Sequence, residues 1–182
     1  MASSTDDYLI RGGEIVDRCR ELDRIIARAE AEKAALLGER VDRLLAEVPP
    51  GSAGYEAAER SMFAEISAAL HITRGAAARA LGIGWALQTR FPQTRAALAS
   101  GEISARHAAT IVTAAAPFDL SDADAHQRFE QQVVPFAGAE TAAGPRRSPG
   151  PSPRLYHPRP SWSATAAPAA TGASPSRISM TG

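Results

Sequence analysis

Between residues 14 and 48 the chain carries a regular seam: Ile15, Cys19, Leu22, Ile26, Ala29, Lys33, Leu37, Val41, Leu44 and Val48. The spacing alternates four and three, with one slip near Lys33. Such a heptad seam predicts one long helix. Gly12-Gly13 loosens its start and Pro49-Pro50 ends it. At about 1.5 Å per residue it spans roughly 50 Å. Cys19, on the seam, reads as a small buried apolar residue.

Shorter periodic segments follow. Residues 49–54 are a turn, and Tyr55, Met62, Phe63, Ile66 and Leu70 mark the apolar stripe of a helix over 55–70. Thr73 is placed to cap a third helix over 74–89, which Pro92 stops and which Gly82 and Gly84 weaken by up to ~1 kcal/mol each. A fourth helix, 93–99, ends at Gly101. Ser104 caps a fifth over 105–116, before Pro117. Ser121 caps a sixth over 122–143, with Asp122 and Asp124 suiting its N-terminal dipole and Pro135 kinking it. After Gly144 no helical period survives. Residues 145–182 hold 8 of the 13 Pro, 7 Ser and no acid, a composition that predicts a disordered tail. The expected organisation is a flexible N-terminus (1–13), a helical domain (14–143) and a disordered tail (144–182). The fold class is all-α, a long N-terminal helix with about five shorter helices and helix-turn-helix-like corners.

Composition agrees with helices. There are 39 Ala, while Leu, Ile, Val and Phe number 33 of 182 residues, so the core is thin. Six Val and ten aromatics are too few for a large β-sandwich or a doubly wound sheet. A single Cys excludes an internal disulfide and a Cys-based zinc site. The N-terminus lacks the basic and apolar regions of a secretory signal, and no run approaches the ~20 apolar residues of a membrane span. The expectation is a soluble cytoplasmic protein without a membrane partner.

Charge is segregated. Residues 1–59 hold 8 basic and 13 acidic side chains, and residues 119–144 hold 1 and 5. Residues 60–118 hold 6 and 2, and residues 145–182 hold 5 and 0. A neutral chain with a basic middle differs from a uniformly neutral one. The 19 Arg beside one Lys reflect GC-rich coding as readily as function.

The basic middle carries two helix-turn-helix-like units. In Phe63 to Leu81, a helix ends at Leu70, Ile72 plugs the turn, and Thr73 caps a helix with Ala77, Ala80 and Leu81 inward. In a DNA reader the second helix enters the major groove, so Arg74 and Arg79 become phosphate or base contacts. In Leu98 to Val112, Gly101 ends one helix, Ile103 plugs the turn and Ser104 caps the next, with Arg106 and His107 on its first turn. This unit resembles the Gly-x-hydrophobic-Ser-x-x-His-Ala pattern of ParB-like DNA partition proteins. The alternative for both is an ordinary αα-corner in a bundle. The candidate DNA-binding residues are Thr73, Arg74, Arg79, Ser104, Arg106 and His107.

Catalytic patterns are missing from the sequence. His71, His107, His126 and His157 form no metal-ligand pair, and there is no nucleophile elbow or Walker loop. Gly82-Ile-Gly84 has no strand before it. His71 reads as a helix C-terminal residue and His126 as part of an acidic exposed face. No catalytic residue, metal site, cofactor or small-molecule substrate is expected.

The run from Glu65 to Val112 resembles the N-terminal domain of the 13E12 repeat family of actinobacterial proteins, which often precedes an HNH endonuclease module. The carriers are Ile66-x-x-Ala-Leu70, Thr73-x-x-Ala-Ala-x-x-Ala-Leu81, Leu98-Ala-x-Gly-x-Ile-Ser104 and Ala108-x-x-Ile-Val112. Phe129-x-x-x-Val-Val-Pro-Phe-Ala137 and Glu140-Thr-Ala142 extend the resemblance, which covers roughly residues 14–143. It implies a DNA-binding or partner-binding half. An HNH site needs an orienting Asn and clustered His. This chain has no Asn, and its tail holds only His157. The expected function is a non-catalytic, DNA-binding helical domain truncated before a nuclease, with residues after about 143 in a shifted reading frame. The alternatives are a module that self-associates through residues 15–48 and a non-functional gene fragment. For the seam, packing onto the chain's own helices is the simpler outcome.

Overall fold

In the computed structural model α1 (Ser3–Glu47) and α3 (Arg74–Thr89) cross in close contact, and the other helices gather about this pair. The crossing depends on two glycines. A Cβ on Gly84 would run into the Ala34 carbonyl oxygen, and one on Gly38 would sit 2.9 Å from the Gly84 carbonyl oxygen. Missing side chains let the two backbones touch, so Gly84 contributes packing in return for its helix-propensity cost. Beside the crossing, the Asp42 carboxylate accepts from Trp85 Nε1 (2.9 Å) and Gln88 Nε2 (2.7 Å), tying the helices together from the side.

The structure describes residues 3–119 and 122–139. The remaining helices are α2 (Tyr55–Ala69), α4 (Pro92–Ser100), α5 (Ala105–Ala114) and α6 (Ala123–Ala139), and no strand occurs among the described residues. The fold is an all-α bundle. Its core has two parts. Leu37, Val41 and Leu44 of α1 meet Tyr55 and Met62 of α2 and Leu81 of α3. The C-terminal half of α3 (Ala86, Leu87), with Phe91, meets α4 and α5 through Leu98, Ile103, Ala108 and Ile111. α6 covers this second part with Phe129 and Val133. No described helix is long and apolar enough to cross a membrane.

Several details depart from the sequence reading. α1 begins at Ser3 and runs through Gly12 and Gly13 without a break. The heptad seam divides at its slip. Leu37, Val41 and Leu44 are buried, whereas Ile15, Leu22 and Ile26 are exposed, and so is Cys19. His126 is buried, not on an exposed face. Its ring lies edge-on to Phe91 (5.3 Å) and Phe118 (5.8 Å), and its Nδ1 is 2.7 Å from the Asp122 carbonyl oxygen. Asp122 caps α6 by accepting from the Ala125 N–H at 2.8 Å. The proposed cap Ser121, the end of the helix expected over 122–143, and the tail 144–182 with its reading-frame shift lie outside the described residues.

Candidate nucleic-acid interface

Both expected corners form. α2 ends with Leu70, and His71 takes a left-handed conformation (φ 53°) that lets the Ile72 N–H reach the Ser67 carbonyl oxygen at 3.1 Å. This closes the helix in a Schellman-type turn. Thr73 then caps α3, its side chain accepting from the Ala76 N–H at 3.2 Å. In the second corner Gly101 (φ 80°) takes the left-handed position, and the Glu102 N–H bonds the Ala97 carbonyl oxygen at 2.9 Å. Ser104 caps α5 by accepting from the His107 N–H (3.3 Å), and His107 Nδ1 accepts from the Ser104 N–H (3.2 Å). A capping box normally uses Glu or Gln at that third position. Here an imidazole nitrogen, without a proton, performs the same service.

These contacts sort the six candidates. Thr73 and Ser104 serve the helix ends with their side-chain oxygens. His107 is half-buried and committed to its cap. Arg74, Arg79 and Arg106 are exposed. At 3.6 residues per turn, Arg79 points opposite the face that buries Ala77 and Leu81, and Arg106 opposite the face that buries Ala108 and Ile111. Arg74 stands at the first turn of α3.

The structure does not merge the two corners into one reading head. α5 shares its core with Ala86 and Leu87, at the far end of α3 from Arg74. Thirteen residues separate Arg74 from Leu87, about 20 Å along the axis. The arginines of the first corner and Arg106 therefore occupy different parts of the surface. Of the remaining basic residues in the middle segment, Arg90 is a packing cation. Its guanidinium carbon lies 5.1 Å from the Trp85 ring centroid, and burial lowers its pKa from the ordinary arginine value.

Sequence reading missed a fully buried carboxylate. Glu130 of α6 is fully buried, and its Oε1 accepts from both the backbone N–H and the hydroxyl of Thr94 at 2.7 Å, while Oε2 accepts from the Gln93 N–H at 3.4 Å. Those amides belong to the first turn of α4, whose N-cap position is Phe91 and offers no side-chain acceptor. The carboxylate thus caps α4 from another helix, where the helix dipole favours negative charge. One signal was available. Pro92 at a helix start without a preceding Ser, Thr, Asp or Asn requires an acceptor from elsewhere. Among the described residues no group of three or more His, Cys, Asp or Glu could hold a metal ion.

No curated protein and no solved structure matches the chain. A family model does, over residues 23–147, from the middle of α1 past the end of α6. The match takes in both corners, the glycine crossing and the Glu130 cap, so the chain belongs to the DUF222 family, a domain of unknown function.

Proposed function

We propose that this chain is a non-catalytic, DNA-binding helical domain. The observation that carries the reading is the pair of capped helix starts, each presenting an outward arginine, Arg79 behind the Thr73 cap and Arg106 behind the Ser104 cap. Helix N-termini attract phosphate through their free amides and dipole, and nearby arginines add charge. The first corner is the stronger reader. Thr73, Arg74 and Arg79 are all exposed, while the second corner has committed His107 to its own fold.

The resemblance to 13E12 repeat proteins supports a role beside an HNH endonuclease, this domain supplying contact and a partner module supplying cleavage. The lack of any Asn in the chain favours that division. The test is fluorescence anisotropy with a labelled duplex at low salt. Three phosphate contacts give a salt slope near −3, so binding falls roughly 40-fold between 50 and 200 mM salt. Replacing Arg74, Arg79 and Arg106 by Ala should abolish measurable binding while leaving the helical circular dichroism spectrum intact. Unchanged affinity in the triple variant would remove the reading. The same protein incubated with supercoiled plasmid and magnesium, manganese, nickel or zinc should leave it uncut. Nicking that a chelator abolishes would overturn the non-catalytic assignment.

A further inference from the structure

The slip in the α1 seam marks a change of face. With Ile15 and Leu22 as d positions and Cys19 and Ile26 as a positions, the residues after the slip, Leu37, Val41 and Leu44, fall on e and b positions instead. Those e and b positions, together with Ala27, Ala31 and Ala34, form the face that packs on the rest of the chain. At 100° per residue the centre of that face lies roughly 90° around the helix from the a/d seam. α1 therefore carries two separate apolar faces. The second, a/d face is exposed along its length: Tyr8 is 78% exposed, Ile15 60%, Leu22 42%, Ile26 58% and, two heptads beyond Leu22 at the same d register, Leu36 60%. Among the described residues the helix from Ser3 to Arg20 precedes every buried one, an arm of about 27 Å.

We infer that this arm pairs with the same arm of a second copy as a parallel two-stranded coiled coil. A single exposed helix with a regular apolar seam is unstable in water, because its nucleation and side-chain ordering are not offset by burial. A second copy covers the seam with the same seam. The flanking charges select the orientation. The g positions before the slip include Arg11 and Arg18, and the e positions include Asp23 and Glu30. A parallel pair sets g of one helix against e of the other, so Arg18 faces Asp23 of the second copy, twice by symmetry. An antiparallel pair centred on the arm sets g against g and e against e, so neither Arg18 nor Asp23 meets an opposite charge. Val16 at e and Ile25 at g, both exposed, widen the apolar strip. The packing face begins at Ala27, beyond the arm, and is turned to one side of the seam, which leaves room for both domain bodies. This pairing is independent of DNA binding.

Sedimentation velocity of the full chain over a concentration series is the test. The wild type should sediment as a dimer at tens of micromolar. Ile15→Asp with Leu22→Asp should give a monomer whose thermal transition is retained, because neither side chain touches the domain core. Arg18→Glu should weaken the dimer roughly tenfold or more through two lost pairs and two new repulsions, and adding Asp23→Arg should restore it. Cys19, the chain's only cysteine, reports the orientation. In a parallel in-register pair the two Cys19 side chains share one a layer. Diamide, taking up two electrons and both thiol protons, should then link the copies into a disulfide dimer that forms in the wild type and not in the Ile15→Asp, Leu22→Asp variant. A wild type that stays monomeric at 200 µM would overturn the pairing. So would a dimer indifferent to the aspartates, or one that neither cross-links at Cys19 nor responds to the charge reversal.

Discussion

The two helix-turn-helix corners look alike in sequence and differ in how they are held. In the first, α2 starts at Gly54 without a side-chain cap, at the surface, where water can satisfy its free amides. In the second, the α4 start is inside the molecule, and a fully buried glutamate from α6 takes over its amides. The left-handed position tells the same story. His71 occupies it in the first corner despite the Cβ penalty, because the turn is exposed and has room. Gly101 occupies it in the second, where a Cβ would lie 3.1 Å from the Arg24 backbone and side chain. One corner is peripheral and tolerant, and the other is built into the core. The tolerant one keeps its arginines free.

This contrast can be broken at several points, and the largest effect should come from the buried cap. Glu130→Ala leaves three α4 donors in the interior without an acceptor and opens a cavity, a loss of about 3 kcal/mol. Glu130→Gln keeps an acceptor oxygen and should recover part of that loss. Urea unfolding measures both, and equal midpoints for Glu130→Ala and wild type would refute the trans-helix cap.

Gly101→Ala comes next. It combines positive φ with contact against α1 backbone and should cost about 2 kcal/mol. A cost below half of that would mean the second corner is as loose as the first.

The caps themselves are smaller terms. Ser104→Ala removes one acceptor and strands the His107 arrangement, whereas Thr73→Ala removes one exposed acceptor. Each should cost about 1 kcal/mol, with Ser104 the larger. A larger loss at Thr73, read from thermal melting, would reverse the ranking of the corners.

The smallest effect has the opposite sign. His71→Gly relieves the left-handed penalty and forfeits some unfolded-state restriction, for a net gain of about 0.5 kcal/mol. A lower melting temperature for this variant would show that the His71 ring makes a contact worth more than the strain.

Much of the fold was legible because its signals are local. The third helix starts and ends where Thr73 and Pro92 place it, and Ser104 caps α5 as its position suggests. The periodicity of α1 identified a helix but not its partners, since a heptad records which residues share a face and not what covers them. Cys19 and His126 show the limit from both sides. The first sits on a regular apolar seam and is exposed. The second sits among acids and is buried, because α6 turns that edge toward Phe91 and Phe118. Of the candidate interface, the exposed arginines could be read from helical phase, whereas the commitment of His107 to a cap required the turn geometry.

The sequence by itself determined an all-α chain, the punctuation of its helices and the two capped corners. Each of these follows from interactions spanning a few residues: propensity, a side-chain oxygen within reach of an amide, a proline without a donor. Only the tertiary structure decided that Gly38 and Gly84 meet, that Glu130 closes a helix 36 residues away from it at Thr94, and that the α1 seam splits into a buried face and an exposed one. These rest on which helix lies against which. That choice is made by shape and burial summed over the whole core, and no short window of sequence contains it.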